Sequence, residues 1–520
     1  MRLISRRVLL FIVFLLVLGS ATIVSSQAIY PLSTNATLTY WMELHPNVAL
    51  IAKNFGDTEF AKELQKRTGV KLKFIHPAVG QAKEAFNLML ASGELPDIVE
   101  YNWLTIPGGP NSAINDGFIV KLNPILSKYA PNLRSFLKKN SKYDRMIKTD
   151  EGNYYVFPFF RADLSLLVTS GPMIRKDWLD ELGLKVPETI DEWYTVLKTF
   201  KEKKGSSTPI TVESYTQLSS MLSGGFNSTN SFYVDKGKVK YGGIESARKN
   251  YFATMNKWYN EGLIDKNFAT ASRKIVDSNI MNGKSGAAYG SGGSGIGRYL
   301  DSMKGKDTKF DLVAAPFPSA KKGVKPNFSN ISQYFGGIGS AAITTKCKNV
   351  EAAARLLDYG YSEEGSMFFN FGIEGVTYKM INNYPIYTEY VMKNPEKLSN
   401  TQVMSKYMRG SNNGPFVQDK RYIEQYYEYP QQKDALVQWQ KTDYMKHMMA
   451  PVTPTSDESN QLAKIMNEIS TYQDEMTVKF IMGIEPLNDF DKYVAQIKKL
   501  GIDKAIAINQ AALQRYNSRK

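Results

Sequence analysis

Strand-like and helix-like segments alternate between residues 38 and 99, and this alternation constrains the fold more than any other feature of the sequence. Three short segments have the pattern of strands: Leu38–Trp41, Val70–Phe74 and Leu95–Val99. Helices are predicted between them, one capped by Asp57 and ended by Gly69, and one from Gln81 to Ser92. Helices placed between strands at this spacing favour βαβ units, so we predict an α/β fold with a largely parallel sheet.

A second region of mixed strands and helices is predicted to begin near Leu164. Thr189 and Glu192 form a capping-box pattern at the start of a helix that carries Trp193 on its apolar face. Further helices are predicted at Ser246–Asn260 and Val350–Tyr359. Further strands are predicted at Gly286–Tyr289, Phe310–Pro316 and Gly336–Thr344. From Thr401 onward the sequence is typical of helices, with polar interruptions at residues 410–414 and 450–459. A chain of this length holds two or three domains.

The first 28 residues have the layout of a secretory signal peptide. Three arginines precede an apolar run of eleven residues, Val8–Leu18, and a mature membrane-spanning helix needs about 20. We expect residues 1–28 to be removed, so that the protein begins near Ile29 and is exported to the periplasm or the outer face of the cytoplasmic membrane. An uncleaved N-terminal anchor is the alternative. Cys347 is the only cysteine, so no internal disulfide is available to the exported chain.

The net charge of +15 limits the classes of partner. A basic protein can bind nucleic acid, an acidic membrane surface or an acidic ligand. The lysines are scattered in pairs such as Lys138–Lys139 and Lys321–Lys322, so we predict no nucleic-acid partner. A solvated basic surface and an anionic, uronate-bearing sugar both remain open. The chain has 31 tyrosines, whose rings suit partly wet surfaces and can stack on sugars.

The sequence shows no clear motif of an enzyme. Gly290–Gly295 satisfies G-x-G-x-x-G, but Asp311 precedes the next predicted strand instead of ending it, so a glycine loop that enters a helix is the better interpretation. His45, His76 and His447 form no zinc-binding pattern, and we predict no catalytic residue, no metal and no cofactor. The two carboxylates of a glycosidase can lie far apart in sequence, so an exported glycoside hydrolase or polysaccharide lyase remains the alternative function.

The segment Phe86–Val99, FNLMLASGELPDIV, resembles a stretch found in the large extracellular solute-binding proteins of ABC sugar importers. It is most similar to the oligosaccharide-binding subgroup that includes alginate-binding and pectin-fragment-binding proteins. Shorter matches extend along nearly the whole mature chain: Ala130–Leu133, Ile174–Leu179, Ile190–Tyr194, Trp258–Asp265, Phe369–Tyr378 and Ala511–Tyr516. Each match alone is weak, and their combination indicates this subgroup.

The resemblance implies a two-lobed periplasmic-binding-protein fold, type II-like, with three crossings between the lobes and a helical C-terminal part. The implied N-terminal lobe comprises residues 29–163 and 331–384, and the C-terminal lobe residues 164–330 and 385–520. The crossings are expected near Arg161, at residues 318–330 and near Tyr384. Such a protein is a monomer and not an enzyme. It closes its hinge around an oligosaccharide, neutral or acidic, and presents it to the permease subunits of an ABC importer.

Two segments depart from the pattern of the relatives. Val17–Ser20 has a serine where many of them carry the lipobox cysteine, so we expect no lipid anchor through cysteine. Lys203–Ser207 stands where the subgroup often has an Asp/Asn-rich calcium loop, so we expect no calcium site there.

Ligands of open α/β sheets bind at the carboxyl ends of the strands. Together with the resemblance, this rule predicts the ligand-binding residues Trp41, Tyr101, Asn102, Trp103, Phe159, Arg161, Asp163, Tyr289, Tyr334, Arg409, Phe416 and Gln418. Arg161, Arg298 and Arg409 are candidates to pair with a ligand carboxylate, because a guanidinium group binds it through two hydrogen bonds. Val417 replaces a tryptophan of the alginate-binding relatives, which removes one expected stacking ring.

Overall fold

The structure is a computed structural model, and it describes residues 29–519 apart from residues 79 and 397. The predicted signal peptide, residues 1–28, lies outside the described residues. No helix within the described ranges is both long enough and apolar enough to cross a membrane.

The strands and helices follow one another over the whole described chain. The strands are β1 Thr37–Met42, β2 Lys71–Ile75, β3 Ile98–Glu100, β4 Phe160–Arg161, β5 Ser170–Arg175, β6 Ile210–Thr211, β7 Phe232–Asp235, β8 Lys238–Tyr241, β9 Ala287–Ser291, β10 Leu312–Ala314, β11 Ala341–Ile343, β12 Tyr378–Ile381, β13 Tyr384–Tyr387 and β14 Val417–Gln418. The first helices are α1 Pro46–Ala49, α2 Glu59–Thr68, α3 Ala82–Ser92, α4 Gly109–Asn115, α5 Asn123–Tyr129, α6 Pro131–Lys139, α7 Ser141–Met146, α8 Lys176–Glu181, α9 Ile190–Lys203, α10 Tyr215–Leu222 and α11 Ser246–Asn260. The later helices are α12 Arg273–Met281, α13 Arg298–Met303, α14 Val350–Tyr359, α15 Glu363–Phe371, α16 Glu389–Met392, α17 Asn400–Tyr407, α18 Arg421–Tyr426, α19 Pro430–Trp439, α20 Ser456–Met482, α21 Phe490–Lys499 and α22 Ile502–Ser518.

The first sheet has the strand order β11-β3-β1-β2. Its three consecutive strands β1, β2 and β3 are parallel, as the alternation of strands and helices predicts, and β11 is antiparallel to β3. In β2, Phe74 is buried while the neighbouring Ile75 is 38% exposed, which is the pattern of a strand with one buried face. The βαβ prediction for residues 38–99 is therefore confirmed.

The second sheet has the order β10-β5-β9-β6 and mixed directions. Strand β5 is antiparallel to both β9 and β10, whereas β6 is parallel to β9. The carboxyl end of β9 at Ser291 therefore lies beside the start of β5 at Ser170. The antiparallel hairpins β7–β8 and β12–β13 were not predicted.

Of the two helix caps predicted from the sequence, one is confirmed and the other lies one residue further along the chain. The predicted cap Asp57 lies inside a short 3₁₀ turn, and Thr58 caps α2 instead by accepting a hydrogen bond from the Ala61 amide at 3.2 Å. Thr189 caps α9 as predicted, because its hydroxyl accepts from the Glu192 amide. The Glu192 carboxylate accepts from the Glu188 amide at 2.7 Å, so the reciprocal half of the capping box is displaced by one residue.

The described buried side chains form four clusters, and we treat the two around the second sheet together as the second core, which leaves one further cluster. The first core contains the buried side chains between Leu38 and Phe160 and between Phe335 and Phe369, together with Phe416. The second core surrounds the second sheet and also takes in residues of α19 to α22. A third cluster joins Leu166 to side chains between residues 371 and 436. The predicted crossing near Tyr384 falls within strand β13 of that cluster, and the number of crossings and the lobe limits stay predictions.

The C-terminal helices also contact the first-sheet half of the molecule. The Asp150 carboxylate accepts hydrogen bonds from Arg515 Nε and Arg519 Nη2, both at 2.6 Å. The Asp150 amide donates to Thr453 Oγ1, and Ser112 Oγ bonds Ser456 Oγ at 2.6 Å. Because α20 and α22 pack on the second core, these bonds tie the two halves together outside the strands that pass between them.

A buried ion pair joins the end of β3 to the loop after α17. Arg409 donates two hydrogen bonds to the Glu100 carboxylate, at 2.9 and 2.7 Å, and the side chains are only 6% and 7% exposed. The Tyr40 hydroxyl donates a further bond to Glu100 at 2.8 Å. The predicted ligand residue Arg409 is thus engaged by an internal carboxylate in this structure.

We expect Arg409→Met to lower the free energy of unfolding by about 3–5 kcal/mol, because the substitution leaves Glu100 buried without its cation. The matched control is Arg421→Met, which removes an arginine whose partner Asp419 is partly exposed and should cost no more than about 1 kcal/mol. Denaturant unfolding of both variants measures the difference. Equal losses of unfolding free energy in the two variants would show that breaking the buried Glu100–Arg409 pair costs no more than breaking a partly exposed pair.

Candidate functional site

Arg161 lies where strands pass between the two main cores. In β4 it pairs with Gln418 of β14, and its amide donates to the Tyr334 carbonyl at 3.0 Å. Phe160 belongs to the first core, whereas Leu167 belongs to the second. The segment through Ile331 and Tyr334 returns in the other direction, since Tyr334 packs against both cores. These neighbouring strands connect the two main cores, and we call them the hinge floor.

The Arg161 guanidinium lies 5.0 Å from the centre of the Phe159 ring. Burial lowers the pKa of Arg161 below its ordinary value, and the nearby Tyr422 hydroxyl acts in the opposite direction. Within the described part of the chain, no carboxylate pairs with Arg161 and no side-chain hydrogen bond occupies it. Arg161 is partly exposed, so a carboxylate from solution can accept two hydrogen bonds from its guanidinium group.

Two lysines and an aromatic pair accompany Arg161. Lys142 Nζ lies 4.2 Å from the centre of the Tyr334 ring and 4.7 Å from that of Tyr143, and the two rings meet edge to face. Lys420 lies 3.6 Å from Asp163. Sequence reasoning missed Lys142, Tyr143 and Lys420, because no motif marks them and only the packing of the chain brings them to Tyr334 and Asp163.

Asp163 remains ionised beside these cations. Burial alone would raise its pKa, but hydrogen bonds from the Ser165 hydroxyl and amide, together with Lys420, hold the pKa below its ordinary value. Its Oδ1 accepts both bonds from Ser165, which leaves the Lys420 contact to the second oxygen. Lys420 also lies 3.9 Å from the Glu424 carboxylate, so the charged groups near the hinge floor are three cations and two carboxylates.

Tyr289 reaches the hinge floor from the second sheet. The Asn330 amide donates a hydrogen bond to the Tyr289 hydroxyl, and burial raises the pKa of Tyr289 to about 12. Asn330 lies four residues before Tyr334, so one short segment connects Tyr289 to the surroundings of Arg161. Of the predicted set, Arg161 bonds the backbone of Tyr334, and Tyr289 bonds Asn330 of the same returning segment; their common role in a site stays a prediction.

Tyr101 and Asn102 lie at the carboxyl end of β3, next to the same returning segment. The Tyr101 amide donates to the Ser340 carbonyl at 3.1 Å, and the Tyr101 ring stacks on Phe86 at 3.9 Å. Asn102 Oδ1 accepts from the Leu104 amide, and a Cβ at Gly337 would lie 2.2 Å from that oxygen. Both residues are partly exposed, so they are placed at the edge of the hinge floor.

The other predicted ligand residues are buried in this structure. Large rings at strand ends complete the first core, and polar groups there bond to the chain itself. Their exposed fractions are 5% for Trp41, 1% for Trp103, 2% for Phe159, 0% for Phe416, 6% for Gln418 and 5% for Arg409. Trp103 donates to the Val99 carbonyl and Gln418 to the Gly410 carbonyl, so their polar atoms are engaged within the protein.

The glycine-rich segment after β9 forms a π-helical turn, Gly292–Gly297. A Cβ at Gly292 would lie 2.6 Å from the Tyr427 ring, and one at Gly293 would lie 2.2 Å from the Tyr426 hydroxyl oxygen. Gln432 donates a hydrogen bond to the Gly292 carbonyl at 2.9 Å. The glycines therefore allow α18 and α19 to pack closely against the turn.

A cavity of about 620 Å³, which we call the polar cavity, lies between this turn, the loop after β1 and the helices around residues 392–432. Its lining includes Asn47, Leu50, Arg273, Ser294, Arg298, Asp301, Gln402, Tyr426, Glu428 and Tyr429. Because the loop follows a first-sheet strand and the turn follows a second-sheet strand, the cavity lies between the two halves of the molecule.

His45 lies in the loop after β1, next to the polar cavity. Its Nδ1 accepts a hydrogen bond from the Asn47 amide at 3.2 Å. Burial, and secondly the charge of Arg409, lowers the pKa of His45 from 6.5 to about 4. The folded protein therefore holds this imidazole neutral in a pH range where the unfolded chain protonates it.

Comparison with known proteins identifies the family. The family described as bacterial extracellular solute-binding protein matches residues 53–367. The chain belongs to this family. Its members bind solutes and are not enzymes, and the α/β fold of this chain is that of a periplasmic solute-binding protein.

Three relatives illustrate the similarity. The fructooligosaccharide ABC transporter substrate-binding protein FusA of Streptococcus pneumoniae is 23% identical over 94% of this chain and 92% of its own. The polygalacturonan/rhamnogalacturonan-binding protein YtcQ of Bacillus subtilis is 25% identical over 48% of this chain, which spans 50% of YtcQ. The structure of the alginate-binding protein AlgQ2 without calcium ion has a TM-score of 0.77 and 27% identity, over 94% of this chain and all of that chain.

The glycine turn generates a stability prediction. We expect Gly292→Ala to destabilise the protein by about 1–3 kcal/mol, because the new methyl group overlaps the buried Tyr427 ring. Gly336→Ala is the matched control, since a Cβ there meets no atom within 4 Å and neither glycine has a positive φ. Thermal or denaturant unfolding measures both. If the two variants unfold alike, close packing does not explain the glycine at 292.

The neutral His45 generates a pH prediction. Because its folded pKa is depressed, its contribution to stability is present above pH 6.5 and is lost as the pH falls from 6.5 to 4. Between these limits wild type should lose about 3 kcal/mol of unfolding free energy more than His45→Asn does. Unfolding measured at several pH values tests this. Parallel curves for the two proteins over the whole range would contradict it.

Proposed function

We propose that this protein captures an acidic oligosaccharide at the hinge floor and presents it unaltered to the permease subunits of an ABC importer. The observation that carries the acidic part of the proposal is the Arg161 guanidinium, which is partly exposed and has no carboxylate partner among the described residues. A uronate carboxylate can accept two hydrogen bonds from such a group.

The relatives support an oligosaccharide as the ligand class. FusA, AlgQ2 and YtcQ bind fructooligosaccharide, alginate and pectic polymers respectively, by their names, and two of these three ligands carry uronate groups. The identity to each is 27% or lower, so the sugar itself has to be argued from this chain's own residues.

The charge of the site favours the acidic member of this ligand class. Lys142 contacts the ring of Tyr334, whose carbonyl accepts from the Arg161 amide, and Lys420 lies between the Asp163 and Glu424 carboxylates, so the cations exceed the carboxylates by one. The whole chain carries a net charge of +15, which accelerates the approach of anions from solution. The rings of Tyr334 and Tyr289 are partly exposed and supply flat surfaces for the rings of the sugar.

Delivery requires two states of the molecule. The strands of the hinge floor are the short connections through which the two halves can rotate, and a ligand shifts the equilibrium to the closed state only by binding it more tightly. We propose an exported monomer that alternates between these states, with the lobe limits given by residues 29–163 and 331–384 against 164–330 and 385–520.

Substitution of Arg161 tests the acidic ligand. We expect Arg161→Gln to weaken binding of tri- and tetragalacturonate roughly 10- to 100-fold, because a charge-assisted hydrogen-bond pair is lost. The control Arg134→Gln removes the same charge from an exposed position on α6 and should leave affinity unchanged. Calorimetry with galacturonate oligomers and with kestose measures both proteins and both ligand classes.

Three outcomes would count against parts of the proposal. Binding of kestose alone would overturn the acidic ligand but keep the oligosaccharide. Equal losses in both arginine variants would assign the effect to overall charge and not to the hinge floor. Release of new reducing ends from the bound sugar by pure protein would contradict delivery of an unaltered ligand.

A further inference from the structure

We propose that the exposed surface of helices α5 and α6 binds the phosphate headgroups of an anionic lipid bilayer and so holds the exported protein at the membrane. This binding surface lies outside the hinge floor. It goes beyond the proposed function, because the contact with the bilayer needs no sugar.

Basic residues are concentrated in one short part of the chain. Residues 121–149 contain eight lysines and arginines and one carboxylate, Asp144, so they carry +7 of the net charge of +15. The pair Lys138–Lys139 belongs to this part. Of the eight cations, only Lys142 lies in the surroundings of the hinge floor. A local excess of one sign raises the concentration of anions at the protein surface, so this part of the chain is a candidate for a second anionic partner.

Helix α6 turns one face to the core and another to solvent. Leu133 and Leu137 are buried in the first core, whereas Arg134 and Lys138, each one residue further along, are exposed. Residues four apart lie on the same side of a helix, so these two cations share a face. Two further exposed cations, on α6 and just before α5, complete a set that we call the basic face: Lys121, Arg134, Lys138 and Lys139.

A groove of about 720 Å³ opens between α5, α6, α7 and Tyr154. Arg134 and Lys138 line it together with side chains that carry hydroxyl and amide groups: Asn123, Ser127, Ser135 and Ser141. Phosphate oxygens accept hydrogen bonds from all of these groups, and the two cations offset the phosphate charge. The groove therefore has the room and the donors for a phosphate headgroup.

The cations of the basic face are not neutralised by neighbouring carboxylates. Among the described residues none of the four is paired with a carboxylate, and Arg134 donates to the Ser127 carbonyl at 3.0 Å. The groove is also lined by Asp144, whose carboxylate accepts hydrogen bonds from Lys148 Nζ and from the Tyr154 hydroxyl, both at 2.5 Å. Lys148 compensates the Asp144 charge, so the groove keeps an excess of positive charge.

The side chains of this surface favour a bilayer over a protein partner. The described residues 121–149 include no exposed large apolar side chain. The centres of protein interfaces are rich in aromatic and other apolar residues, whereas the headgroups of anionic lipids attract exposed lysines and arginines by charge. Under the proposed function the permease lies in the same membrane, so the contact keeps the protein beside its importer.

Sedimentation of purified protein with lipid vesicles tests the contact. The vesicles contain either equal parts of phosphatidylglycerol and phosphatidylcholine or phosphatidylcholine alone, at low salt. We expect wild type to bind the anionic vesicles and not the neutral ones. Raising the salt to about 0.5 M NaCl should release it, because salt screens the interaction of exposed charges.

Two triple variants assign the contact to the basic face. The basic-face variant carries Lys121→Gln, Lys138→Gln and Lys139→Gln, and the control variant carries Lys498→Gln, Lys499→Gln and Lys504→Gln. All six lysines are exposed, and each variant loses one Lys–Lys pair from the last turn of a helix, so the two are matched in charge and position. The basic-face variant should bind anionic vesicles roughly 100-fold more weakly, since each cation near such a surface contributes about fivefold. The control variant should bind as wild type does, and both should unfold like wild type.

The opposite results would overturn the inference. Equal losses in the two variants would assign vesicle binding to net charge and not to the basic face. Equal binding to neutral vesicles would exclude recognition of the phosphate charge, and absence of binding to either would leave the basic face without a lipid partner. If soluble polyphosphate binds wild type as tightly, per phosphate, as the anionic vesicles do, the occupant is a soluble polyanion and not a bilayer.

Failure of this inference is distinguishable from failure of the proposed function. The basic-face variant should keep the wild-type Kd for tetragalacturonate, because the basic face does not contact the sugar. Loss of that affinity would place the basic face in the sugar site and overturn the inference. Failure of wild type to bind any galacturonate oligomer would overturn the acidic ligand of the proposed function and leave the vesicle result unaffected.

Discussion

The buried bond between Glu100 and Arg409 is the interaction on which the arrangement of the site depends most. Glu100 ends β3, directly before Tyr101 and Asn102, and Arg409 begins the loop that leads to β14. Strand β14 in turn pairs with β4 and so sets the position of Arg161. A bidentate ion pair has one favourable geometry, so it fixes the loop relative to the sheet more closely than apolar contacts would.

The Glu100–Arg409 pair also affects two neighbouring side chains, Tyr40 and His45. Tyr40 donates to Glu100 and is fully enclosed, while His45 is kept neutral by burial and by the Arg409 charge. A buried ion pair is not in itself a strong source of stability, since the desolvation of both charges offsets much of their attraction. Its value here is geometric, because it positions the edge of a site that has to recognise a soluble ligand.

The two halves of the molecule are held together by contacts of different kinds. The short strands of the hinge floor connect them through the backbone, whereas the Asp150 carboxylate connects them through hydrogen bonds from Arg515 and Arg519. Arg519 and Asp150 are nearly buried, with side-chain exposures of 3% and 9%. In the hinge motion that we propose, a rotation that preserves these bonds costs less than a rotation that breaks them.

The sequence by itself determined the α/β alternation, the helix limits around residues 246–260 and 350–359, and the family, because these depend on local periodicity and on contiguous motifs. It could not separate Arg161, Arg298 and Arg409, which are the same residue type in similar surroundings along the chain. Only the tertiary structure shows that Arg409 pairs with Glu100 and that Arg298 pairs with Asp277. Arg161 pairs with no carboxylate among the described residues. The partners of a guanidinium group come from strands and helices distant in sequence, and their positions follow from the packing of the whole chain.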